Sequence, residues 1–465
     1  FFTGVCTATT FAGSGANLTA LPAANVTGTL PAISGANLTS LTAGNLTGAL
    51  PAISGANLTG IAATDNVRTG ILDVAGIATF RNDVKIGAAV TISESGIEAS
   101  GIGITVANIN GGSIGGRRNL AINGAMNVAQ RGTSRSATSQ GNGFATVDRF
   151  VYQWNHFSVT ATENQSDLST SDTPYTLGFR KYHRMTLASA GTAAVNSYIE
   201  HRYKWEAQDI ATSGWEYTNP NSFLTFSFWF RCSTNQTFYT TLRTRDGTER
   251  GYTFSFTATG NNEWTKIVHS IPGNSGITMN NDNGEGLVYY MIPYYGTNYT
   301  TSSHTLNSWG TFSSSSYCPD MASTWLTAGA STFDVTGVQF EVGSQATAFE
   351  HRSFGEELSL CQRYYFQDTT TIAGIFIPDS ADTDSAYGGL SFPVPMRAAP
   401  TVVFGDNAGN NAGVVTQHGA AHGIAATAGD IGKHGIGKCA KSSGTWNTSS
   451  SHPIAAKIAS ATAEL

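Results

Sequence analysis

Aromatic residues cluster along one stretch of the chain, between Tyr289 and Trp309. A flat apolar ring with a polar edge can stack on the face of a pyranose ring while its polar atom bonds to a sugar oxygen. The candidates for such glycan stacking are Tyr294, Tyr295, Tyr299 and Trp309. Alternate members of a run like this more commonly fill a β-sandwich core or cover its edge. The stretch therefore predicts either a saccharide-binding surface or ordinary core packing.

Paired carboxylates are the other residues that could act on a saccharide. A glycosidase needs two of them about 5–10 Å apart, on either side of the bond that it cleaves. Asp379, Asp382 and Asp384 form one candidate group, and Glu341 and Glu350 form another. Acidic residues in Gly- and Ser-rich loops are usually solvated, and the His-Glu-x-x-His and P-loop patterns do not occur. We therefore predict a protein that is not an enzyme and has no catalytic residues.

Two histidines, His418 and His422, have the spacing of metal ligands on one helix face. The glycines around them argue against a helix, and the five cysteines form no Cys-x-x-Cys pair, so a zinc site is not indicated. The loop around Asp282 and Glu285 offers oxygen ligands but lacks the full calcium-loop pattern. We predict no metal and no cofactor, although three copies of one histidine could hold a metal on a threefold axis.

Composition and charge narrow the class of protein. Only 12% of the residues are charged, while 52 glycines and many Ser, Thr, Asn and aromatic residues favour short strands joined by tight turns. The net charge of -6 offers no basic stripe for phosphates, so nucleic acid is not an expected partner. The scattered cysteines, the lack of a long apolar run and a start without signal-peptide features fit assembly in a reducing cytoplasm. We predict an all-β protein.

Residues 1–66 are repetitive. GANLT occurs at 15–19, 35–39 and 55–59, with related Asn-(Leu/Val)-Thr units between them, so each unit is about ten residues long. Ordering ten residues costs roughly 10–20 kcal/mol of backbone entropy, whereas burying two aliphatic side chains returns only roughly 3–6 kcal/mol. Three chains wound about one axis would bury these side chains fully, which predicts a homotrimeric stalk. The predicted axial residues are Leu18, Val26, Leu38, Leu46 and Leu58. A disordered linker and a series of glycosylation sequons are the alternatives.

Four further regions follow the repeats. Residues 67–118 carry short alternating runs and predict a β-rich stalk section or collar. Residues 119–352 predict a jelly-roll β-sandwich, and residues 353–366 predict a helical connector because Glu356 and Glu357 suit a helix N-terminus. Residues 367–465 predict a small β tip that binds the receptor. The strands predicted in the sandwich are Phe223–Phe230, Phe238–Arg245, Tyr252–Thr257, Thr265–Ile271, Leu287–Ile292 and Phe333–Val342.

A family resemblance covers about residues 119–365. It begins with NGAMNVAQRG, continues through a Gly- and Ser-rich loop to ATVDRF, and ends with TGVQFEVGSQATAFEHRSFGEELSLCQRYYF. These segments resemble tail fibre proteins of tailed bacteriophages, where they bound a jelly roll similar to carbohydrate-binding modules. The stalk repeats are similar to those of marine phage or cyanophage fibres. The resemblance implies a virion protein of the tail fibre, assembled in the bacterial cytoplasm, that attaches the virion to a host-surface polysaccharide or outer-membrane protein.

The resemblance also implies partners and a contact surface. Other tail proteins, an adaptor or nozzle, would join the fibre through a region that precedes residue 1. LSFPVPMRAAPTVVF resembles the terminal strand pair of phage fibre ends, and the final Ala-Glu-Leu matches such ends as well. Three tips on one fibre would convert weak contacts into stable attachment by avidity. The predicted contact residues are Tyr387, Asn410, Asn411, His418, His422 and Trp446. A tailspike-type polysaccharide depolymerase and a fibre that decorates the capsid are the alternatives.

Overall fold

The structure is a computed structural model. It describes residues 117–368, 374–405, 412–417, 421–446 and 453–465, together with 92–93, 96–97 and a few isolated positions between 4 and 12. The chain divides into two compact units, Phe1–Ser100 and Gly101–Leu465. The predicted axial residues of the stalk, Leu18, Val26, Leu38, Leu46 and Leu58, lie outside the described residues.

A short hairpin is described in the first unit. Strand β1 (Ile92–Ser93) pairs antiparallel with β2 (Gly96–Ile97), which places Ile92 opposite Ile97. Short strands were predicted from the alternating runs that contain Ile92 and Ile97, and each of these residues lies in a strand.

Eleven antiparallel strands dominate the second unit and are hydrogen-bonded in one continuous order. They are β3 (Ser134–Gly141), β4 (Val151–Asp167), β5 (Lys181–Leu187), β6 (Tyr198–Glu206), β7 (Phe223–Cys232), β8 (Asn235–Thr244), β9 (Arg250–Thr259), β10 (Thr265–Pro272), β11 (Glu285–Tyr295), β12 (Trp309–Thr311) and β13 (Thr332–Val342). The order is β10-β7-β13-β5-β4-β6-β11-β8-β9-β12, with β3 paired to β4. Short helices α1 (Thr173–Thr176), α2 (Ala207–Ala211) and α3 (Thr324–Thr327) lie in the connections. All six predicted strands are present, and the all-β prediction is confirmed.

Strand β4 connects two layers of this fold. Its first residues, Val151–Asn155, pair with β6, whereas Ala161–Asp167 pair with β5. Side chains from the two sides meet in the middle. The rings of Phe226 and Tyr289 lie 5.3 Å apart, and those of Trp205 and Phe340 lie 4.4 Å apart. The strands therefore form a sandwich-like arrangement around one aromatic core.

The Gly- and Ser-rich segment after Gly132 is strand β3, and the prediction of a loop is wrong. Its hydroxyl side chains pair across the ladder: Ser136 Oγ lies 2.7 Å from Thr162 Oγ1, and Thr138 Oγ1 lies 2.8 Å from Thr160 Oγ1. Such hydroxyl pairs support an exposed strand without apolar burial. Polar composition alone therefore did not distinguish this strand from a loop.

The two ends of the sandwich are joined by hydrogen bonds. The backbone N–H of Asn119 donates to Glu350 Oε2 at 2.8 Å, although these residues are 231 positions apart. The side-chain amide of Asn119 donates to the carbonyl of Val338 at 3.0 Å, and Arg352 pairs with Glu350 at 2.8 Å. The first and last segments of the family resemblance therefore meet in space.

The predicted helical connector contains helix α4 (Phe354–Gln362). Ser353 caps its N-terminus, because the Ser353 Oγ accepts a hydrogen bond from the backbone N–H of Glu356 at 3.2 Å. Glu356 and Glu357 lie in the first turn, where negative charge complements the helix dipole. The helix prediction for this segment is confirmed.

Eight strands beyond α4 form a second sheet. They are β14 (Tyr365–Phe366), β15 (Gly374–Pro378), β16 (Ser385–Ser391), β17 (Thr401–Gly405), β18 (Val414–Gln417), β19 (Ala421–Gly432), β20 (Gly435–Lys441) and β21 (Ile454–Thr462). Strands β21, β15, β16, β20, β19 and β18 pair in that order, and β18 pairs back to β21. These six strands therefore close into a small barrel. A separate apolar cluster, which includes Phe376, Phe404 and Trp446, is buried within this region.

The segment LSFPVPMRAAPTVVF contributes to two strands, but the prediction that these strands pair with each other is wrong. Strand β16 pairs with β15 and β20, whereas β17 pairs with β21. The segment between them holds three prolines, which have no N–H to donate to a ladder. The backbone N–H groups of Phe392 and Met396 donate instead to the carbonyls of His434 at 2.9 Å and Lys433 at 2.8 Å.

A buried ionic cluster joins the barrel to the sandwich. Arg149, whose side chain is only 1% exposed, pairs with Glu464 at 2.5 Å and lies over the ring of Tyr364 at 3.4 Å. Arg131 pairs with the other oxygen of Glu464 at 3.0 Å and with Asp148 at 3.4 Å. The Gln-Arg-Gly and Asp-Arg-Phe residues of the resemblance thus contribute to this joint, which holds the end of the sequence against the sandwich.

Candidate functional site

A groove of about 320 Å³ lies on the outer face of the layer that contains β6, β11 and β8, and we call it the outer-face groove. Tyrosines form one group of its lining residues: Tyr198, Tyr290, Tyr295, Tyr299 and Tyr317. Charged and amide side chains form the other group: Gln153, Glu200, Arg202, Lys204, Arg243, Arg245 and Glu285. Aromatic rings and polar groups therefore meet in one concavity.

The sequence of β6 explains how the groove obtains its polar side. Successive side chains of a strand point to opposite faces, so the alternation in YIEHRYKWE separates two kinds of residue. Glu200, Arg202 and Lys204 share the outer face and line the groove. The intervening residues face the sandwich core, where each is at most 1% exposed: Ile199, His201, Tyr203 and Trp205. The buried alternate residues fix the strand and thereby orient the charged ones.

The aromatic side of the groove is built by β11, by the start of β6 and by the chain that follows β11. The buried cluster of Val288, Tyr290, Ile292, Tyr295 and Cys318 packs against partly buried Tyr198, Tyr299 and Tyr317. The rings of Tyr198 and Tyr299 meet edge to face at 5.7 Å, and those of Tyr295 and Tyr317 meet in the same way at 5.2 Å. Because these rings support each other, the aromatic wall is rigid before any ligand arrives.

Ion pairs hold the charged side chains of the groove in place. Arg202 pairs with Glu200 at 3.1 Å, and its other Nη donates to Gln153 Oε1 at 2.7 Å. Glu285 bridges two cations, since it pairs with Lys204 and with Arg245, the latter at 3.0 Å. The network preorganises donors and acceptors for a polar ligand.

Two carboxyl groups of the groove have pKa values shifted in opposite directions. Burial raises the pKa of Glu200 above its usual range, even though Arg202 favours the charged form. Burial would also raise the pKa of Glu285, but the hydrogen bond and charge of Lys204, with the charge of Arg245, lower it. The groove therefore contains one carboxyl that resists ionisation and one that is firmly ionised.

A second cavity of about 310 Å³ lies beside Trp309 and His304, and many of its other lining residues carry hydroxyls. The indole N–H of Trp309 donates to the carbonyl of Pro272 at 2.7 Å. His304 contacts Ser316 Oγ at 3.0 Å and Thr253 Oγ1 at 2.9 Å. The ring nitrogens of Trp309 and His304 are thus bound to the protein itself.

The four candidate stacking residues lie in three different places. Tyr294 is 7% exposed and packs in the sandwich core, so its predicted place on a binding surface is wrong. Tyr295 and Tyr299 both line the outer-face groove, where Tyr295 is 3% exposed and donates its hydroxyl to Glu200. Trp309 lines the second cavity. The bulge between Met291 and Tyr294 changes the register of β11 against β6. This change explains why Tyr294 faces the core while Tyr295 faces the groove.

The predicted contact residues of the tip are only partly described. Tyr387 is 42% exposed, its hydroxyl donates to Asp382 at 3.2 Å, and Lys438 lies 5.5 Å from its ring centre. Trp446 is 2% exposed within the apolar cluster of the barrel, so its place on the contact surface is wrong. The remaining predicted contacts lie outside the described residues or have no described side chain: Asn410, Asn411, His418 and His422.

Two of the acidic residues considered for catalysis, Glu341 and Glu350, are bound within the fold. Glu341 accepts hydrogen bonds from Gln339 at 2.8 Å and from the backbone of Thr347 at 2.8 Å. Glu350 closes the sandwich through Asn119, as described above. The loop considered for calcium is also used internally, because Glu285 belongs to the groove network. Among the described residues, no cluster of His, Cys, Asp or Glu has the geometry of a metal site.

Sequence reasoning missed most polar residues of the groove. Glu200, Arg202 and Lys204 alternate with large buried residues in β6, while Arg243 lies near the end of β8 and Arg245 directly follows it. Such an alternation predicts a half-buried strand, and the run of charged residues on its polar face was the available signal. The separation of β6 from β8 in sequence concealed that they flank one strand, β11.

A chain of polar side chains runs through the sandwich core beneath the groove. Glu163 Oε1 lies 3.0 Å from His183 Nε2, and His183 Nδ1 lies 3.1 Å from His201 Nε2. The other ring nitrogen of His201 lies 3.0 Å from the hydroxyl of Tyr289. Burial and the neighbouring His183 lower the pKa of His201 well below its usual value, so the buried ring stays neutral.

We expect the free energy of unfolding to decrease as the pH falls from about 7 to about 5. The pKa of His201 is lower in the folded chain than its usual value of about 6.5, so the unfolded chain takes up this proton first. Asp148 acts in the opposite sense, because burial raises its pKa to about 6 and its contribution is lost as the pH rises. Urea titrations of the wild type and of His201→Gln separate the two effects. The variant should lose less stability over this pH range. An unchanged dependence of the free energy of unfolding on pH would contradict the assignment to His201.

Comparisons with known proteins give weak similarities. No family model matches the sequence, and no curated protein matches it. The enzymatically active domain of tailspike protein 4 of bacteriophage CBA120 is 8% identical with a TM-score of 0.25, over 48% of this chain and 21% of that chain. The carbohydrate-binding module TmCBM61, in complex with β-1,4-galactotriose, is 9% identical with a TM-score of 0.22, over 49% of this chain and 100% of that chain.

A third similarity is to the xylanase 10B of Clostridium thermocellum, whose CBM22-1 and GH10 modules were solved with xylohexaose. It is 8% identical with a TM-score of 0.20, over 41% of this chain and 26% of that chain. The chain therefore spans about a fifth to a quarter of the tailspike and the xylanase. None of these values assigns the chain to a family.

Proposed function

We propose that this chain is the trimeric fibre of a tailed bacteriophage, and that its sandwich is a jelly roll that binds a glycan on the host surface. The outer-face groove is the observation that carries the proposal. Five tyrosines and seven polar side chains converge there, and a saccharide offers the matching apolar ring faces and hydroxyls. The family resemblance of residues 119–365 supports the phage assignment, and the tip and virion location belong to the same proposal.

Avidity is the proposed mechanism of attachment. One groove per chain gives three per trimer, and several weak contacts held on one particle bind far more stably than one contact alone. The stalk repeats supply the trimer in this proposal. Sedimentation of the full chain tests that part. A folded monomer would contradict the prediction that three chains bury their stalk residues along one axis.

Replacing Tyr299 by Ala should weaken glycan binding about tenfold, because the groove loses an aromatic face that is partly exposed. The measurement is binding of labelled protein to host cells and to immobilised cell-surface polysaccharide. Tyr387→Ala is the comparison variant, since it removes an exposed tyrosine that was predicted as a tip contact and leaves the groove intact. Weak binding of Tyr387→Ala with normal binding of Tyr299→Ala would place the contact on the tip and overturn the groove as the site.

Cleavage of the bound glycan is the second candidate function. One groove holds two carboxyl groups, Glu200 and Glu285, with pKa values shifted apart, which is the pattern of an acid and a nucleophile. Both are engaged by neighbouring cations, which favours a binding role. The same polysaccharide incubation can be assayed for new reducing ends, and release that Glu200→Gln abolishes would establish cleavage.

A further inference from the structure

The outer-face groove contains more cationic than anionic side chains. Four cations line it: Arg202, Lys204, Arg243 and Arg245. Two carboxyl groups, Glu200 and Glu285, line it as well. Glu249 lies next to the groove and pairs with Arg243 at 2.6 Å and with Arg245. Even with Glu249 included, the cations outnumber the carboxylates.

The carboxylates of the groove are engaged by neighbouring side chains. Glu200 is 5% exposed and is engaged by Arg202 and by the hydroxyl of Tyr295. Glu285 is shared between Lys204 and Arg245, so two cations surround one carboxylate. Because the cations outnumber the carboxylates, a ligand that enters the groove meets a net positive charge.

This local charge contrasts with the chain as a whole, whose net charge is -6. At physiological ionic strength charges act over about 8 Å, so the groove residues determine the field that a bound ligand experiences. A positive groove on an acidic protein is a means of selecting charged ligands without attracting them to the rest of the surface.

The groove has an aromatic end and a cationic end. Tyr198 lies at the start of β6, next to Tyr299, while Lys204 lies six residues further along the strand, about 20 Å away at 3.3 Å per residue. Arg245 and Glu285 lie beside Lys204. A saccharide chain could thus stack on the tyrosines and place an acidic substituent among the cations.

Resting on the proposed glycan-binding function, we infer that the outer-face groove selects a saccharide that carries negative charge, as a uronic acid carboxylate or a sulfate ester. Arginine favours both groups, because its planar guanidinium matches their oxygens in paired hydrogen bonds. Arginine and lysine side chains would recognise a carboxylate and a sulfate in the same way. Polygalacturonate carries carboxylates and dextran sulfate carries sulfates, so the test distinguishes the two.

The test measures binding of the full chain to polygalacturonate, dextran sulfate and neutral dextran by calorimetry, at about 50 mM and about 500 mM salt. We expect a charged polymer to bind at least about tenfold more tightly than dextran, with affinity lost at high salt. Equal, salt-independent binding of dextran would overturn the charge selection and leave glycan binding intact. Failure of all three polymers would overturn it too, and the proposed function would then depend on the host-cell experiment.

Charge variants connect the selection to the groove. Arg243→Gln should weaken binding of the preferred polymer about threefold to tenfold, and Glu285→Gln should strengthen it, because it removes a carboxylate that offsets the charges of Lys204 and Arg245. Arg245→Gln is the substitute if Arg243→Gln does not fold, since its side chain is more exposed. Arg180→Gln makes the same charge change on an exposed site outside the groove lining and should bind normally. Equal weakening by Arg180→Gln would indicate nonspecific attraction and overturn the inference.

Discussion

Replacing Glu464 by Ala is expected to destabilise the second unit by about 3–5 kcal/mol, the usual cost of removing one partner from a buried ion pair. Arg149 would keep its charge with 1% of its side chain exposed, and the nearby ring of Tyr364 compensates only in part. Arg131 would lose the same partner. Because Glu464 lies in the barrel region and both arginines in the sandwich, the joint between the two should weaken first.

Guanidinium chloride unfolding, followed by tryptophan fluorescence, is a suitable measurement, because all 8 tryptophans lie between Trp154 and Trp446. Glu263→Ala is the matched control, since Glu263 is exposed and its loss should change stability by less than about 0.5 kcal/mol. Combining Glu464→Ala with Arg149→Met removes the unpaired charge and should restore part of the stability. A loss with Glu464→Ala as small as that of the control would show that the joint is not maintained by this pair.

The sandwich was predictable from sequence because its strands carry their own signal. Aromatic and apolar residues recur along the six predicted strands, and the same residues form the core. Helix α4 was predictable for a similar reason, since its capping serine and first-turn glutamates are local features. Strand β3 lacked such a signal, because its stability comes from hydroxyl pairs with β4 that only the folded register brings together.

The groove was less predictable, because it depends on strands that are distant in sequence. Tyr295 and Tyr299 were selected as candidates, but their partners Arg202 and Arg243 come from β6 and β8, which flank β11. The placement of Tyr294 in the core depends on a bulge, and the available signal for that bulge was Pro293, since a proline inside a central strand is confined to bulges. The burial of Trp446 depends in turn on barrel closure, which aligns β18 with β21.

The family resemblance also identified residues whose roles only the structure explains. Asn123, at the start of NGAMNVAQRG, is fully buried and adopts a left-handed backbone conformation with φ of 62°. Its side-chain amide donates to the carbonyls of Val128 and Asp148, each at 2.9 Å. The motif therefore holds the start of the sandwich together by hydrogen bonds, and none of its residues lines the outer-face groove.

Replacing Gly124 by Ala should destabilise the second unit by about 2–4 kcal/mol, the range for overpacking combined with a lost buried hydrogen bond. A Cβ at this position would lie 2.0 Å from the carbonyl oxygen of Val338. That oxygen accepts the amide of Asn119, and the N–H of Val338 donates to the carbonyl of Gly124 at 2.9 Å. Since all of these atoms belong to backbone or to a buried amide, β13 and the start of the sandwich must separate.

The same fluorescence-detected unfolding measures this effect, with Gly355→Ala as the matched control. Gly355 lies in the first turn of α4, where an added Cβ would meet nothing within 4 Å, so alanine should be neutral or stabilise by up to about 1 kcal/mol. A wild-type unfolding midpoint for Gly124→Ala would mean that the start of the sandwich can move away from β13 without cost. Opposite signs for the two substitutions would show that the glycine of the resembling segment is required by the close approach of Val338, rather than by turn flexibility.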